Sequence, residues 1–431
     1  MNLLVVGGGG REHALCWKLA QSPRLTRLVA APGNPGIARH AACVAVSVDD
    51  HDGVVRLAER ERADLVVIGP EVPLVAGLAD RLRDKGFAVF GPGAPAAALE
   101  GSKAFAKDLM ARAGIPTARY ATFTDPGAAR TFARELGAPV VVKADGLAAG
   151  KGAIVCATLA EAEAAIARCL ERREFGAAGA TIVVEEFLRG EEASFFAVSN
   201  GGACVALGAA QDHKTVFDGD RGPNTGGMGA FTPVASLDAA MHARIMRTIV
   251  EPTFAAIARE GAPYRGVLYA GLMLTAEGPK VIEYNVRFGD PECQALVATL
   301  EGDLLLLLDA AARGAPLPAP APTKRAAVCV VVASGGYPGR HPTGAPIDGI
   351  DEAERMPGVV VFHAGTAMRD GRLVTAGGRV LGVTATAESV PAAIEHVYAA
   401  ASRIRFDGMH YRRDIGRRQA ARGVVPPGGH Q

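Results

Sequence analysis

The chain has 431 residues, too long for one ordinary core, and at roughly 150 residues per domain it predicts about three units. Its 46 basic and 45 acidic side chains nearly cancel, so no global field attracts nucleic acid or an anionic membrane. No apolar run approaches the ~20 residues that span a bilayer, and the N-terminus lacks the apolar core of a secretion signal. We therefore expect small-molecule partners, no nucleic acid, no membrane and a cytoplasmic location.

Cysteine and histidine usage disfavours two kinds of chemistry. The seven cysteines are scattered without a CxxC pair, as reduced core residues are. Cys293 follows a polar loop but has no histidine at a recognisable spacing, so a nucleophilic role is disfavoured. The ten histidines form no HxxxH or HExxH pair, which disfavours zinc hydrolysis.

The first ninety or so residues alternate apolar strand-like runs with amphipathic segments of helix length, the rhythm of a parallel sheet. Ligands bind beyond the carboxyl ends of such strands, and three glycine-rich loops follow strands here, at 7–10, 31–36 and 69–71. We expect these loops to line one crevice. The predicted strands are 3–6, 28–30, 44–48, 64–68 and 88–90.

The first glycine loop suits a phosphate better than a dinucleotide. Glu12 stands where the GxGxxG fingerprint requires glycine, which disfavours a hydride-transfer enzyme. The tight turn still delivers the N-terminus of a helix near Arg11, whose free N–H groups favour a phosphate. We prefer a phosphate-bearing substrate here to a turn of purely structural use.

A second unit follows a helix over 101–114, for which Ser102 is the predicted cap and Gly114 the stop. The pattern beyond Pro116 predicts a small α+β module. Its predicted elements are strands over 140–143, 153–157 and 181–187 and an alanine-rich helix over 159–173.

A third unit and a fourth follow. The segment 315–323 alternates proline with alanine and can hold neither a helix nor a central strand, so it predicts a domain linker before a final α/β or α+β unit. Before that linker, the predicted elements are strands over 193–199, 268–274 and 280–284, a long helix around 237–260, and leucine-rich helices that end at Gly314.

The segment KADGLAAGKG, Lys143 to Gly152, is not a Walker A loop, because Asp145 replaces the first Walker glycine and Gly152 the Ser or Thr. A strand that ends in Lys143, a loop of three glycines and a second cation at Lys151 suit a hairpin that folds over a nucleoside triphosphate. A flexible hairpin with solvated lysines remains the alternative.

Three further polar segments indicate a site. Residues 211–230 pack acids, cations and glycines where a core element would carry an apolar stripe. Paired acids in 183–194 offer acceptors for adenine and ribose, although an exposed acidic turn explains them as well. Glu283 and Asn285 share one face of a strand and offer oxygen ligands to Mg²⁺, and Arg287 follows at once. We favour a metal site over a solvated strand edge.

The order of these segments resembles the glycinamide ribonucleotide synthetases (phosphoribosylamine–glycine ligases) of the ATP-grasp superfamily, nearly end to end. The resemblance implies ligation of glycine to 5-phosphoribosylamine, with ATP cleaved to ADP and phosphate through glycyl phosphate, in purine biosynthesis. It implies ATP and Mg²⁺ or Mn²⁺ as cofactors and a monomer. The matching strings are GGREHAL, APGN, GPE, EGSKAF, KADGLAAGKG, EEFLRGEEAS, QDHK with GPNTGGMGA, IEYNVRFGDPE, GGYPG and FHAGT.

The resemblance also implies a multidomain α/β and α+β fold, with an N-terminal parallel-sheet domain, an ATP-grasp core with a mobile lid, and a small C-terminal mixed domain. The implied boundaries are 1–100 for the phosphoribosylamine-binding domain, 101–120 with 190–314 for the ATP-grasp domain, 121–189 for the lid, 315–325 for the linker and 326–431 for the C-terminal domain.

The resemblance also implies a role for each residue that matches a family motif. Lys103 and Lys143 would hold ATP phosphates, Glu192 the ribose hydroxyls, and Arg287 the glycine carboxylate or the forming acyl phosphate. The implied ATP-binding set is Lys103, Lys143, Gly146, Gly150, Lys151, Gly152, Glu185, Glu186, Phe187, Leu188 and Glu192. The implied substrate-binding set is Gly7, Gly8, Gly9, Gly10, Glu71, Asn224, Thr225, Gly226, Gly227 and Asp290. The implied catalytic residues are Arg287, Lys214 and Asp212, and the metal ligands are Glu283 and Asn285.

Two departures from the family pattern stand out. Gly8 replaces the Asn or Ser that is frequent in the first loop, and the strand before Glu283 lacks a metal-binding acid, so the metal would depend on ATP oxygens and water. The competing hypotheses are a carboxylating ATP-grasp ligase of purine metabolism, a nicotinamide-dependent dehydrogenase and a nucleotide sensor without turnover.

Overall fold

The computed structural model describes residues 1–148, 152–321 and 323–421, with only the backbone at residue 421. The N-terminal segment forms an entirely parallel five-stranded sheet in the order β3-β2-β1-β4-β5, which confirms the predicted βα rhythm. Its strands are β1 Asn2–Gly7, β2 Arg27–Pro32, β3 Ala42–Cys43, β4 Leu65–Ile68 and β5 Ala88–Phe90. Its helices are α1 Gly10–Leu19, α2 His51–Arg60, α3 Glu71–Val75, α4 Leu78–Asp84 and α5 Ala94–Gly101, with a 3₁₀ turn at Ile37–Arg39.

The third strand differs from the sequence prediction. β3 covers only two residues, so the predicted strand over 44–48 is wrong. Val44 donates one backbone hydrogen bond to Ala30, and the chain then leaves the ladder. Val44 and Val46 still pack half-buried against the core, so their alternation reflects side-chain packing without continued strand pairing.

Helix α6, Lys103–Ala113, leads into a second sheet. Ser102 caps this helix through Phe105 N–H, and Gly114 ends it in the left-handed region, as the sequence predicts. The sheet is antiparallel in the order β6-β9-β7-β8 and packs on a core of its own. Its elements are β6 Tyr120–Phe123, α7 Pro126–Leu136, β7 Val140–Ala144, β8 Ala153–Cys156, α8 Leu159–Ile166 with a π turn at Ala167–Glu171, a 3₁₀ turn at Gly176–Ala180, and β9 Ile182–Glu186.

The central segment supplies five strands of a nine-stranded sheet in which all strand pairs are antiparallel. Its strands are β10 Glu191–Asn200, β11 Cys204–Asp212, β14 Gly229–Thr232, β15 Arg265–Thr275 and β16 Gly278–Asn285, with a separate hairpin of β12 Thr215–Phe217 and β13 Arg221–Asn224. Its helices are α9 Ala239–Ile245 and α10 Glu251–Arg259, joined by a π turn at Met246–Val250, then α11 Glu292–Thr299 and α12 Leu304–Arg313.

The C-terminal segment continues the same sheet. β14 pairs antiparallel with β17, and the strand order is β16-β15-β10-β11-β14-β17-β21-β18, with β22 beside β17. The sequence did not indicate this pairing across the proline-rich segment. The elements are β17 Ala326–Ser334, α13 Ile350–Glu354, β18 Val359–His363, β19 Thr366–Arg369, β20 Arg372–Thr375, β21 Arg379–Ala387, α14 Val390–Ala401, β22 Met409–His410 and α15 Arg417–Ala421.

A buried arginine fastens the β12–β13 hairpin to the C-terminal segment. Arg412 has no exposed side-chain surface. Its guanidinium donates to Thr215 O and Oγ1, to Asp220 Oδ1 and to both oxygens of Asp414, at 2.8–3.1 Å. These contacts use all five guanidinium N–H groups. The polar loop predicted from residues 211–230 is therefore held in place by a residue of the C-terminal segment.

Across residues 1–148, 152–321 and 323–421, no helix has both the length and the apolar character needed to cross a membrane.

Candidate functional site

A cavity of about 700 Å³ lies between the N-terminal sheet, the β6–β9 sheet, the central strands and the C-terminal segment. Most residues predicted from the sequence line it. They are Glu71, Lys103, Lys143, Gly152, Glu185, Glu186, Phe187, Leu188, Glu192, Asp212, Lys214, Asn224, Thr225, Gly226, Glu283, Asn285, Arg287 and Asp290. Gly7, Gly8, Gly9, Gly10, Gly146 and Gly227 are not among the lining residues that the structure describes, and Gly150 and Lys151 lie outside the described residues.

One wall of the cavity holds a buried cluster of two lysines around one carboxylate. Glu185 lies 3.0 Å from both Lys143 Nζ and Lys107 Nζ, and each of these side chains is at most 5% exposed. Burial lowers the pKa of Lys107 to about 8, although the Glu185 carboxylate opposes the shift. The Glu185 side chain is therefore already paired, and Glu186 N donates to Arg119 O at 2.9 Å, so Phe187 and Leu188 are the residues of the predicted adenine segment that lie beyond the end of β9.

Asp145 ties the β7–β8 hairpin to the start of helix α6. Its Oδ1 accepts from Ser102 Oγ at 3.0 Å and from Ala104 N at 2.7 Å. Lys103 Nζ donates to Gly146 O at 3.0 Å from the same turn. Asp145, which replaces the first Walker glycine, thus positions the loop through the helix N-terminus.

Arg287 occupies the centre of the cavity wall that β16 forms. Its Nε donates to Glu71 Oε2 at 3.1 Å, and its Nη2 lies 2.9 Å from Glu100 Oε1 and 3.0 Å from Asn285 Oδ1. Burial would lower the pKa of Arg287, but Glu100 and Glu71 raise it. Sequence reasoning missed Glu100, whose own pKa is raised by burial although Arg287 opposes the shift.

Glu283 and Asn285 lie on the same face of β16, opposite Gly271 and Tyr269. Burial would raise the pKa of Glu283, but Lys214, Lys143 and Lys103 hold it below the usual value, so the carboxylate is ionised at neutral pH.

The donor set of the cavity fits a divalent cation bound together with a nucleotide. Nine carboxylates and seven cationic side chains line the described cavity, so an anionic nucleotide needs added positive charge. In the described ranges no group of three or more His, Cys, Asp or Glu is placed to hold a metal ion.

Asp212 and Lys214 face the cavity from the end of β11 and the loop that follows it. Lys214 Nζ lies 3.3 Å from Glu192 Oε2. Burial raises the pKa of Asp212 to about 7, although Lys214 opposes the shift. Glu192, predicted to take ribose hydroxyls, is exposed and paired with this lysine.

The C-terminal segment contributes two lining residues that the sequence did not indicate. Arg379 begins β21 and donates from Nη1 to Gly226 O at 2.7 Å, while its Nη2 lies 3.3 Å from Asp290 Oδ2. Tyr337 Oη accepts from Gly226 N at 3.0 Å. These residues reach the cavity because β14 pairs with β17. No local sequence pattern predicts that pairing.

The first glycine loop differs from its prediction in one respect. The carboxylate at the start of α1 is the chain's own Glu12, whose Oε2 accepts from Gly9 N at 2.7 Å and whose Oε1 accepts from Arg11 Nε at 2.6 Å. A Cβ at Gly7 would lie 2.5 Å from Glu12 Cγ. A side-chain anion thus takes one of the N–H groups that we expected to meet a phosphate.

Comparison with known protein families identifies the family to which this chain belongs. The models described as phosphoribosylglycinamide synthetase N domain, ATP-grasp (A) domain and C domain match residues 1–100, 101–293 and 327–418. The chain belongs to the phosphoribosylglycinamide synthetase family. These matches confirm the resemblance and the fold class predicted from the sequence.

Individual relatives agree. The phosphoribosylamine–glycine ligase of Rhizobium meliloti is 54% identical over 423 residues, 98% of this chain and 99% of its own. The crystal structure of phosphoribosylamine–glycine ligase from Thermotoga maritima has a TM-score of 0.85 at 33% identity and covers 96% of this chain and 100% of its own. The biotin carboxylase domain of Hydrogenobacter thermophilus 2-oxoglutarate carboxylase, solved with MgADP, shares the fold at a TM-score of 0.73 and 19% identity, over 95% of this chain and 91% of its own.

Proposed function

We propose that this protein is a phosphoribosylamine–glycine ligase. It joins glycine to 5-phosphoribosylamine, cleaves ATP to ADP and phosphate, and releases glycinamide ribonucleotide in de novo purine biosynthesis. The observation that carries the proposal is the cavity itself: Lys103 and Lys143 face Glu283, Asn285 and Arg287 across one space, in a chain that matches the family from end to end.

ATP binds between the β6–β9 sheet and β16. The adenine meets the backbone of Glu186 to Leu188, and Lys103 with Lys143 contacts the phosphates. Glu283 and Asn285 would hold Mg²⁺ or Mn²⁺, and the cation would neutralise charge on the phosphates. The loop that contains Gly146, Gly150, Lys151 and Gly152 covers the nucleotide, and Glu192 takes the ribose hydroxyls.

The reaction proceeds in two transfers. A glycine carboxylate oxygen attacks the γ-phosphorus of ATP, ADP leaves, and glycyl phosphate forms. The amine of phosphoribosylamine then attacks the acyl carbon, the amide forms and inorganic phosphate leaves. Arg287 stabilises negative charge on the acyl phosphate, and its own carboxylate partners fix its fork in one orientation. Asp212 and Lys214 contact the amine and glycine from the opposite side.

The remaining substrate contacts are assigned to two loops. Asn224, Thr225 and Gly226 border the ribosylamine, with Gly227 next in the same loop, and Asp290 offers an acceptor to a ribose hydroxyl. Glu71 and the turn Gly7 to Gly10 shape the N-terminal side of this pocket. Gly8 leaves the backbone as the only hydrogen-bonding group at its position.

The proposed division of labour follows the segments. Residues 1–100 bind phosphoribosylamine, and residues 101–120 with 190–314 form the ATP-grasp core. Residues 121–189 form the mobile lid. Residues 315–325 link the core to residues 326–431, which complete the site. The separate core under the β6–β9 sheet supports rigid movement of that lid. We further propose a cytoplasmic monomer that binds neither nucleic acid nor membrane.

The test is ADP release with phosphoribosylamine generated in situ, with and without glycine, together with mass spectrometry of the product. Glycine-dependent ADP release with glycinamide ribonucleotide supports the proposal. Glycine-independent release, or a carboxylated product, would refute the substrate assignment while leaving the ATP-grasp fold intact.

A further inference from the structure

The C-terminal wall of the cavity carries a cation for which the reaction scheme above has no task. Arg379 Nη1 donates to Gly226 O at 2.7 Å and to Asp290 O at 2.5 Å, and Nη2 lies 3.3 Å from Asp290 Oδ2. Within residues 1–148, 152–321 and 323–421, the Nε–H of Arg379 has no hydrogen-bond partner. One face of this guanidinium fork is therefore available to an anion.

The other cationic side chains of the described cavity also have partners within the chain, as Arg379 has Asp290, and Lys103 and Lys143 are already assigned to the ATP phosphates. Two of them share a buried carboxylate, and the others are held by acids or a carbonyl of the loops beside them. These contacts are Arg11 with Glu12, Lys103 with Gly146 O, Lys107 and Lys143 with Glu185, Lys214 with Glu192, and Arg287 with Glu71 and Glu100.

A second donor lies beside Arg379. Tyr337 Oη accepts from Gly226 N at 3.0 Å, which leaves the hydroxyl hydrogen free to donate. Gly226 lies between the two side chains and against the guanidinium, because a Cβ at this position would be 3.1 Å from Arg379 Cζ. The turn at Gly226 thus brings an arginine fork and a tyrosine hydroxyl to one end of the cavity.

The position of this end suits one group of the substrate. Asp290, the ion-pair partner of Arg379, follows Arg287 by three residues, a span of at most about 11 Å. A pentose phosphate whose amine meets the acyl phosphate at Arg287 can reach Arg379 with its other end. The alternative cradle, the N-terminus of α1, has its Gly9 N–H bonded to Glu12.

We propose that Arg379, together with Tyr337, binds the 5-phosphate of phosphoribosylamine and makes the enzyme select the phosphorylated amine over ribosylamine. The inference rests on the proposed function, because it names the residues that bind one group of that substrate. The C-terminal segment is then part of the substrate site, in addition to extending the central sheet.

The experiment compares two amines on each variant. Phosphoribosylamine and ribosylamine form in situ from ribose 5-phosphate or ribose with ammonia, and ADP release gives kcat/KM for each. The ratio of the two values does not depend on how much enzyme is correctly folded, because both substrates report on the same active molecules. The variants are Arg379→Gln, Arg379→Lys and Tyr337→Phe, and the control is Arg372→Gln, an exposed arginine on β20 of the same segment.

We expect Arg379→Gln to lower this ratio roughly 10- to 100-fold, as the loss of a hydrogen bond to a charged group does. Arg379→Lys restores part of it, Tyr337→Phe lowers it less, and Arg372→Gln leaves it unchanged. If Arg379→Gln lowers kcat/KM equally for both amines, so that the ratio is unchanged, Arg379 only holds Gly226 and Asp290 in place. That result would overturn the inference. If the wild-type enzyme does not use phosphoribosylamine at all, the proposed function itself fails, and the inference fails with it.

Discussion

Arg287 is held by two carboxylates, Glu71 and Glu100, before any substrate is bound. This arrangement uses the planar fork of arginine, because both acids lie within 3.1 Å of different guanidinium nitrogens. Paired in this way, the side chain is fixed in one orientation in the free enzyme. Little reorganisation is then needed when negative charge develops on the acyl phosphate.

Arg287→Lys tests that role. A lysine keeps the charge but cannot contact Glu71 and Glu100 with separate nitrogens, so we expect kcat/KM to fall about 10²- to 10³-fold while the fold persists. The measurement is steady-state ADP release together with a thermal melt. Arg259→Lys, at an exposed arginine at the end of α10, is the matched control and should keep normal turnover. Near-normal kcat/KM in Arg287→Lys would refute the assignment.

Glu283→Gln tests the proposed metal ligand. The substitution keeps the shape but removes the charge that binds Mg²⁺, so the Mg²⁺ concentration for half-maximal rate should rise by about tenfold or more. The measurement is a Mg²⁺ titration at saturating ATP, with equilibrium binding of MgADP as a second readout. An unchanged Mg²⁺ requirement would place the metal elsewhere.

At the scale of elements, strands β7 and β9 and helix α6 meet at one buried carboxylate. Glu185 of β9 neutralises Lys143 of β7 and Lys107 of α6 in a region with almost no solvent contact. Two buried ammonium groups with no acid between them repel each other and lose hydration. The cluster therefore fixes the register between the helix and the β6–β9 sheet.

Glu185→Gln is expected to lower the free energy of unfolding by about 3 kcal/mol at neutral pH, because it leaves both lysines without their carboxylate. Adding Lys107→Met should recover part of this loss, since the two changes are coupled. Urea denaturation of the single and double variants measures both effects. If the two substitutions destabilise additively, Lys107 and Glu185 do not act as a pair.

Elements with strong local signals were predictable from the sequence. Ser102 and Gly114 bound α6 because a hydroxyl cap and a left-handed glycine satisfy helix ends by short-range contacts alone. The prediction of a strand over 44–48 was wrong for a physical reason. Alternation of apolar and polar residues shows which side chains are half-buried, but it does not show whether a neighbouring strand continues beside them.

The site was predictable where its residues lie on one strand or loop. Glu283, Asn285 and Arg287 are close in sequence and therefore meet in space. Glu100, Lys107, Tyr337 and Arg379 join the cavity only through helix docking and the pairing of β14 with β17, which are long-range contacts. Local patterns carry no information about such contacts, so these residues had to come from the structure.

At the scale of the whole molecule, the N-terminal and C-terminal segments meet at a pair of buried histidines. His363 N donates to His13 Nδ1 at 2.7 Å, and both side chains are less than 5% exposed. Burial lowers the pKa of His13 to about 2, with His363, His40 and Arg39 adding to the shift. Burial and Arg39 lower that of His363 to about 4.

This contact should make the protein sensitive to acid. Both histidines are neutral when folded but bind a proton below pH ~6.5 when unfolded. Stability is therefore full above that pH and falls as the pH drops, down to about pH 4 for the contribution of His363 and about pH 2 for that of His13. We expect His363 alone to lower the free energy of unfolding by about 2 kcal/mol at pH 5 relative to neutral pH. Denaturant unfolding at pH 7.5 and pH 5 measures the difference.

His363→Gln should reduce this loss of stability on acidification by about 2 kcal/mol, while His396→Gln, at an exposed histidine of α14, should leave it unchanged. An acid sensitivity that is identical in wild type and His363→Gln would show that the buried histidine does not couple folding to pH.

The most direct measurement of the central claim follows an oxygen atom. Glycine labelled with ¹⁸O in its carboxylate is turned over with ATP and phosphoribosylamine, and the phosphate and the product are analysed by mass spectrometry. If the enzyme activates glycine as glycyl phosphate, one labelled oxygen leaves in inorganic phosphate and the other stays in the amide of the product. Unlabelled phosphate would contradict the account, because the carboxylate would then not have been phosphorylated by ATP.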